Sequence, residues 1–194
     1  LGVATRKYDR SLEPLPPELE TSGTSKSSVS RTFVEITKEK LVEWMTRPLA
    51  ELDIPAIFID GIHFADHVVL VALGVDATGI KHVLGLWEGA TENGAACRAM
   101  LADLVTRGLD TKAPRLFIID GSGALRSAIR DTFGKRALVQ RCQVHKSRNV
   151  EGHLPKSKRA AIRTAMRQAY KSAKVETAKR QLENLARSLQ AAHP

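Results

Sequence analysis

The chain carries the same short phrase twice: an apolar run that ends in Asp-Gly, first as IFIDG with Asp60 and again as LFIIDG with Asp120. Apolar runs of this length, rich in β-branched residues, predict buried β-strands, and an acid at the last position lies where the strand reaches the surface. Two such strands predict two carboxylates at one edge of a sheet. Paired carboxylates from separate strands can hold divalent metal for phosphoryl-transfer chemistry. Taken singly, each Asp-Gly also fits the plain end of a strand.

The pattern around the two phrases predicts a mixed α/β domain. Three strands are predicted to form an antiparallel meander, over 56–60, 67–75 and 81–87. Helix and strand then alternate in four elements: a helix from a Thr91 cap to about Arg107, a strand over 115–119, a helix over 122–133 and a strand over 137–140. This order gives a mixed sheet with helices packed on it, and it is the element order of ribonuclease-H-like domains.

Charge is divided unevenly along the chain. The whole sequence carries +9, and the residues from Lys135 onward hold 15 Lys and Arg against 3 Glu. The residues before Lys135 hold 15 basic and 18 acidic side chains, so the basic excess is C-terminal. Two amphipathic helices are predicted in that basic part, with apolar stripes over 162–170 and 175–189. A basic field of this size favours nucleic acid as partner through phosphate neutralisation, and a solvated surface of Lys-rich helices is the alternative.

The first 50 residues predict a separate helical segment. Residues up to Thr24 are rich in Pro, Glu, Ser and Thr and are interpreted as an arm. A short helix is expected after a Ser25 or Ser27 cap, and a second over 38–46 with three inward side chains, Leu41, Trp44 and Met45. A glycine-containing turn before a helix with Ser, Lys and Arg is typical of a helix-turn-helix, whose DNA-binding residues would be Lys26, Ser27, Ser28 and Arg31. An ordinary capped surface helix is the alternative.

The phrase RCQVHKSRNV places Cys142 and His145 three residues apart. Both are metal-ligand types, but a Cys2His2 zinc site needs a second pair at comparable spacing, and the sequence has none. We therefore expect Cys142 to pack on the core, and His145, Lys146 and Arg148 to lie near the acidic pair or near DNA phosphates. Two cysteines are too few for a disulfide scaffold, and no apolar stretch has the length of a membrane span, so a soluble protein without membrane contact is predicted.

These phrases together resemble the mutator-type transposases of bacterial insertion sequences. The resemblance runs through WMTRPL, IFIDG, LGLWEGATENGAAC, IIDGSGAL and VQRCQVHKSRNV, in that order. It implies a DDE recombinase with a ribonuclease-H-like catalytic domain, which cuts DNA at transposon ends with metal-activated water and joins the freed 3′ hydroxyl to target DNA. The implied cofactor is Mg²⁺ or Mn²⁺. The implied partners are terminal inverted repeats, target DNA and further copies of the chain.

By motif position, the resemblance makes Asp60 the first acid and Asp120 the second, and Cys142 and His145 the family's Cys-x-x-His signature. It divides the chain into an N-terminal arm and partial helix-turn-helix, an incomplete catalytic core and the start of a basic helical insertion, over 1–50, 51–150 and 151–194. The third acid, a Glu, is expected beyond this insertion, and none of the glutamates in the basic part fits its position: Glu151, Glu176 and Glu183. We therefore expect a cytoplasmic, nucleoid-associated transposase fragment that is inactive by itself.

Two other functions stay open at this point. A catalytically dead fragment that still binds DNA would compete with or regulate an intact transposase, and it would bind in a salt-sensitive manner without cleavage. A ligand-responsive transcription regulator would have a small-molecule pocket and would not depend on the two acids. Because a core without its last helix leaves an apolar sheet face open, we also expect a marginally stable monomer that tends to associate.

Overall fold

The computed structural model describes residues 26–192 of the chain, which divides into two compact units, Leu1–Pro48 and Leu49–Pro194. The described residues of the first unit form one helix, α1 (Lys26–Thr46). Neither glycine nor proline interrupts its 21 residues. The helix ends before Arg47-Pro48, because proline disfavours the helical conformation of the residue that precedes it.

Two expectations for this helical segment were wrong. The sequence predicted two short helices with a break before residue 38, whereas α1 is continuous. Leu41, which was predicted to face inward, is 45% exposed. The prediction of a break was wrong because the residues between the two predicted helices have weak helix propensity, but none of them interrupts a helix that has already formed.

The helix-turn-helix stays a prediction. Its proposed DNA-binding residues lie in the first turns of α1, where Ser27 and Arg31 are exposed and Arg31 Nε donates to the Ser27 carbonyl oxygen at 3.3 Å. The side chains of Lys26 and Ser28, and everything before Lys26, lie outside the described residues. A helix-turn-helix at this place would therefore have the first turns of the long helix α1 as its DNA-binding helix, instead of a short separate helix.

The second unit is a mixed α/β structure, as predicted. Its elements are, in chain order, β1 (Ala56–Phe64), β2 (His67–Val75), β3 (Lys81–Glu88), α2 (Gly94–Thr106), β4 (Arg115–Ile119), α3 (Gly123–Phe133), β5 (Ala137–Arg141), α4 (Gln143–Gly152), α5 (Lys156–Tyr170) and α6 (Val175–Ala192). Helices α5 and α6 are the two predicted amphipathic helices, and α4 had not been predicted. Within residues 26–192, none of the helices combines the length and apolar character that a membrane span needs.

The five strands form one sheet in the order β3-β2-β1-β4-β5. Strands β1, β2 and β3 are the predicted antiparallel meander, and β4 pairs parallel with both β1 and β5. Parallel pairing follows from the helical crossovers, because α2 and α3 return the chain along the sheet between strands that run in the same direction. The parallel β1–β4 pair brings the two Asp-Gly phrases side by side.

Two element boundaries differ from the prediction. Strand β1 does not end at Asp60 but continues to Phe64, because its antiparallel pairing with β2 extends as far as the pair of Phe64 with His67. Helix α2 is capped by Asn93, whose side chain accepts hydrogen bonds from two backbone N–H groups of the first turn. Thr91, the predicted cap, is thereby free for another role.

One face of the sheet packs on α2 and α3, and the other face is open. Strand residues alternate between the two faces. The core contains the buried side chains Ile57, Ile59, Leu70, Ala72, Leu84, Phe117 and Ile119 of the sheet, and Cys97, Met100, Leu101, Leu104, Leu125, Ala128 and Ile129 of the helices. On the opposite face Phe58, Leu116 and Leu138 are 41%, 36% and 64% exposed. This face is the expected open apolar surface, while marginal stability and association stay predictions.

Candidate functional site

Asp60 and Asp120 occupy equivalent backbone positions at the edge of the β1–β4 pair. The last parallel pair in this register joins Ile59 to Ile119, so Asp60 and Asp120 are the next residue on each strand. Neighbouring strands lie about 4.8 Å apart. Asp60 follows Ile59 within β1 and so belongs to the open face, whereas Asp120 lies just beyond β4 and its side chain contacts Thr91 and Ser122. The structure therefore brings the two predicted acids together, as the sequence implied.

Asp120 is held in place by a network of hydrogen bonds. Its Oδ2 accepts from the Thr91 hydroxyl at 2.8 Å and its Oδ1 accepts from the Ser122 backbone N–H at 2.9 Å. The Ser122 hydroxyl in turn donates to the Thr91 carbonyl oxygen at 2.7 Å and accepts from Leu125 N–H, which caps α3. Thr91 and Ser122 are both buried, at 7% and 4% exposure. The second acid is thus preorganised by residues that are themselves fixed.

Asp60 is more open and lies beside the predicted signature histidine. Its Oδ1 accepts from its neighbour's backbone N–H, and its Oδ2 lies 3.7 Å from His145 Nε2. The Asp60 side chain is half exposed, whereas the His145 side chain is 30% exposed. His145 Nδ1 is buried, and within the described part of the chain it has no hydrogen-bond partner. The expected proximity of His145 to the acids is therefore present.

Helix α4 carries His145 to this position because its start is tied to the end of β4. Cys142 precedes the helix and its backbone N–H donates to the Ile119 carbonyl oxygen at 2.6 Å. The Cys142 side chain is partly buried. Among residues 26–192, no group of three or more His, Cys, Asp or Glu side chains has an arrangement that would hold a metal ion. His145 lies in the first turn of α4, three residues after Cys142.

The turn after Asp120 requires a glycine. Gly121 has φ +113°, a region that other residues rarely adopt, and a Cβ at this position would lie 2.6 Å from Arg141 Nε. Arg141 uses that space, since its Nε donates to the Asp120 carbonyl oxygen at 3.2 Å. A guanidinium is thereby held against the backbone of the second acid.

The sequence reasoning missed two residues at this site, Thr91 and Glu92. Glu92 Oε2 lies 3.4 Å from the Ser122 hydroxyl. Burial, followed by the charges of Asp120 and Glu92, raises the pKa of the Cys97 thiol, so both carboxylates act on the same buried group. The phrase ATENG offered a signal for these two residues. Thr91 and Glu92 directly precede the Asn93 cap of α2, so they lie on the loop between β3 and α2, at the sheet edge.

The other predicted residues lie on the exposed side of α4. Lys146 and Arg148 are exposed, and Arg148 borders a cavity between α4 and α5. Glu151, in the same helix, is buried and accepts from Arg163 and Ser147, and the Arg163 hydrogen bonds lower the pKa of Glu151. Its carboxylate is therefore committed to a structural ion pair. This agrees with the expectation that Glu151 is not the third acid.

Two adjacent carboxylates of this kind match the way proteins bind Mg²⁺. That ion keeps several waters and is usually held by one or two carboxylates together with substrate phosphates. Asp60 offers a half-exposed carboxylate, and Asp120 offers one whose orientation is fixed. The edge can therefore hold a hard divalent cation whose remaining positions are open to water and phosphate.

Comparison with known proteins gives matches along the whole chain. The sequence profile described as "Transposase, Mutator family" matches residues 1–194. The transposase for insertion sequence element IS1081 of Mycobacterium tuberculosis is 33% identical over 178 residues, which cover 88% of this chain and 41% of that protein. The IS256 transposase in transposon Tn4001 of Staphylococcus aureus is 29% identical over 190 residues, covering 92% and 46%. The IST2 transposase of Acidithiobacillus ferrooxidans is 33% identical over 126 residues, covering 65% and 42%. The chain thus spans less than half the length of these relatives.

Proposed function

Because this chain belongs to the Mutator family of transposases, we propose that Asp60 and Asp120 are two of the acids with which a transposase cuts and joins DNA. The observation that supports the proposal is the register of β1 and β4, in which Asp60 and Asp120 each come one residue after the last parallel pair, Ile59 with Ile119. The strand order β3-β2-β1-β4-β5 supports assignment of the core to the ribonuclease-H-like class. A third acid would come from outside the described elements.

Mg²⁺ or Mn²⁺ is the cofactor that these residues fit, and Asp60 and Asp120 would hold it. When bound, such an ion supplies charge neutralisation at the phosphate and a more acidic water. The chain's own residues fix the geometry: Thr91 and Ser122 orient the Asp120 carboxylate, and His145 lies beside Asp60. His145 is placed to exchange a proton or a hydrogen bond with a group that approaches Asp60.

DNA is the proposed partner, as transposon ends and as target. The basic excess after residue 135 supports this, because Lys and Arg neutralise phosphates and release counterions. We assign Lys146 and Arg148 to DNA contacts near the acids, and the start of α1, with Lys26, Ser27, Ser28 and Arg31, to recognition of the terminal repeats. The proposal further includes work as a multimer in the bacterial cytoplasm, at the nucleoid.

The metal site can be located without any need for turnover. Fe²⁺ replaces Mg²⁺ at oxygen-ligand sites, and with ascorbate and peroxide it produces radicals that cut the polypeptide near the bound ion. We expect cuts close to residues 60 and 120, seen as fragments by mass spectrometry and suppressed by excess Mg²⁺. Cuts confined to other regions, or cuts that excess Mg²⁺ does not suppress, would count against the proposal.

Thr91 provides a finer test of the same site. Thr91→Val keeps the shape of the side chain but removes the hydrogen bond to Asp120 Oδ2. Loss of a group that orients a metal ligand typically costs about 10- to 100-fold in metal affinity, so Mn²⁺ affinity is expected to fall at least about tenfold. Titration followed by electron paramagnetic resonance measures this. Thr91→Ser keeps the hydroxyl and should restore affinity, whereas equal affinity in all three proteins would show that Thr91 only packs.

A further inference from the structure

A cavity of about 560 Å³ lies between α4 and α5, outside the acidic edge. The side chains that border it include four basic ones and one acidic one: Arg148, Arg163, Arg167, Lys171 and Glu151. The acid is already neutralised, because Arg163 and Ser147 both donate to the Glu151 carboxylate. The remaining charge of the cavity is therefore positive.

Three of these cations are available to an external partner. Arg148, Arg167 and Lys171 are exposed, and within residues 26–192 no ion pair joins any of them to a carboxylate. Three cations without ion-pair partners around one cavity repel one another, and an anionic ligand would relieve this repulsion. The ligand expected here carries several negative charges.

The spacing of the cations fits a phosphodiester chain. Arg167 and Lys171 lie four residues apart, at the end of α5 and at its C-terminal cap. Four residues of α-helix rise about 6 Å, so the two side chains lie on one side of the helix, about one turn apart. Arg163, one turn earlier, is paired with Glu151. The two unpaired cations can therefore each contact a phosphate of the same strand.

The cavity also lies near the acidic edge. Helix α4 carries His145 toward Asp60, while Ser147, Arg148 and Glu151 of the same helix border the cavity. Tyr170 forms part of the cavity wall, and burial raises its pKa while the charge of Arg141 opposes that rise, so Arg141 lies close to it. Arg141 itself donates to the Asp120 backbone. A strand that enters the acidic edge would thus pass next to the cavity.

We propose that the α4–α5 cavity binds the phosphodiester backbone of DNA, with Arg148, Arg167 and Lys171 as its phosphate contacts. This inference rests on the proposed transposase function and adds a second DNA-binding surface to the acidic edge. It assigns a role to Arg167 and Lys171, which were not singled out from the sequence, and it leaves Arg163 to its ion pair with Glu151. Backbone contact implies binding without sequence preference.

The test measures how DNA affinity depends on salt. A fluorescein-labelled duplex is titrated with the full chain at several NaCl concentrations, and the slope of log K against log [NaCl] is compared between proteins. Each lost phosphate contact is expected to lower the magnitude of the slope by about 1. The triple variant Arg148→Gln, Arg167→Gln and Lys171→Gln should therefore lower it by about 3, and weaken binding at least about tenfold at physiological salt.

A matched control removes the same charge elsewhere. Lys81→Gln, Lys112→Gln and Arg130→Gln change three exposed cations that do not border the cavity, and should leave most of the slope intact. If the triple variant fails to fold, the single variant Arg167→Gln is titrated in its place, and the magnitude of its slope should fall by about 1. A triple variant with the unsubstituted slope, or equal losses in the control, would overturn the cavity assignment alone. Absence of DNA binding by the unsubstituted chain, or binding of an acidic peptide in its place, would overturn this assignment and the proposed function together.

Discussion

Asp120→Asn is expected to remove divalent-metal binding from the sheet edge and to lower metal-dependent DNA cleavage by about a thousandfold or more. Asparagine keeps the shape of the side chain and the acceptor for the Ser122 N–H, so the variant changes the charge and the one hydrogen bond that the Thr91 hydroxyl donates to Oδ2. A metal ion contributes several kcal/mol of charge stabilisation, and about 4 kcal/mol corresponds to a thousandfold in rate. Asp60→Asn should have a comparable effect, because the proposed site uses both carboxylates.

Two measurements decide this prediction. Mn²⁺ titration by electron paramagnetic resonance should show a loss larger than the 10- to 100-fold expected when a group only orients a ligand. Cleavage is followed on labelled DNA that carries transposon ends, with Mg²⁺ or Mn²⁺. Asp131→Asn, at an exposed position of α3, is the matched control and should change neither quantity. If the unsubstituted chain cuts no DNA, the Mn²⁺ titration decides alone, and unchanged Mn²⁺ affinity in Asp120→Asn would refute the assignment.

Phe117→Ala is expected to lower the free energy of unfolding of the second unit by about 3–5 kcal/mol. Phe117 is fully buried in β4, and its ring centroid lies 4.9 Å from that of Phe133 in α3. Truncation leaves a cavity between the sheet and α3 and removes the aromatic contact. Strand β4 also positions Asp120, so the variant tests whether the core that supports the acid is as tightly packed as its burial indicates.

Urea unfolding of the second unit measures this loss. Trp44 and Trp87 are the two tryptophans of the chain, and Trp87 packs against the core, so a Trp44→Phe background makes fluorescence report on the second unit. Phe64→Ala is the control for phenylalanine content, since Phe64 is 75% exposed and its truncation should cost less than about 0.5 kcal/mol. Equal losses for the two variants would mean that β4 does not pack on α3 as described.

The sequence predicted the arrangement of the acids through two independent patterns. Apolar runs with β-branched residues predicted the strands, and the order of three strands followed by alternating helices and strands predicted a mixed sheet in which the strands of the two acids could be neighbours. Because β1 and β4 are parallel neighbours, Asp60 and Asp120 each follow the last residue of the same pair, Ile59 with Ile119. Asp60 and Asp120 were therefore predictable because their positions follow from backbone register, which depends on local pattern and topology alone.

The contacts around the acids were not predictable in the same way. Thr91 looked like a helix cap, because Thr is a common capping residue, and only the tertiary position of Asp120 gives its hydroxyl a different partner. Arg115 opened a predicted strand, yet it is 4% exposed and donates to the Ile54 and Asp110 carbonyl oxygens. Each of these residues bonds to a group distant in sequence. Patterns that consider only near neighbours cannot identify such partners.

Strand β1 continues past Asp60, and this has a consequence for amide hydrogen exchange. Residues 56–59 pair with β2 on one side and β4 on the other, whereas residues 60–64 pair with β2 alone in the described structure. In an antiparallel pair every second residue directs its N–H away from its partner, so alternate amides beyond Ile59 should exchange quickly while those before it are protected. The boundary of protection thus falls at Asp60. The first acid belongs to the part of β1 that pairs with β2 alone, so a ligand that orders Asp60 should slow exchange there.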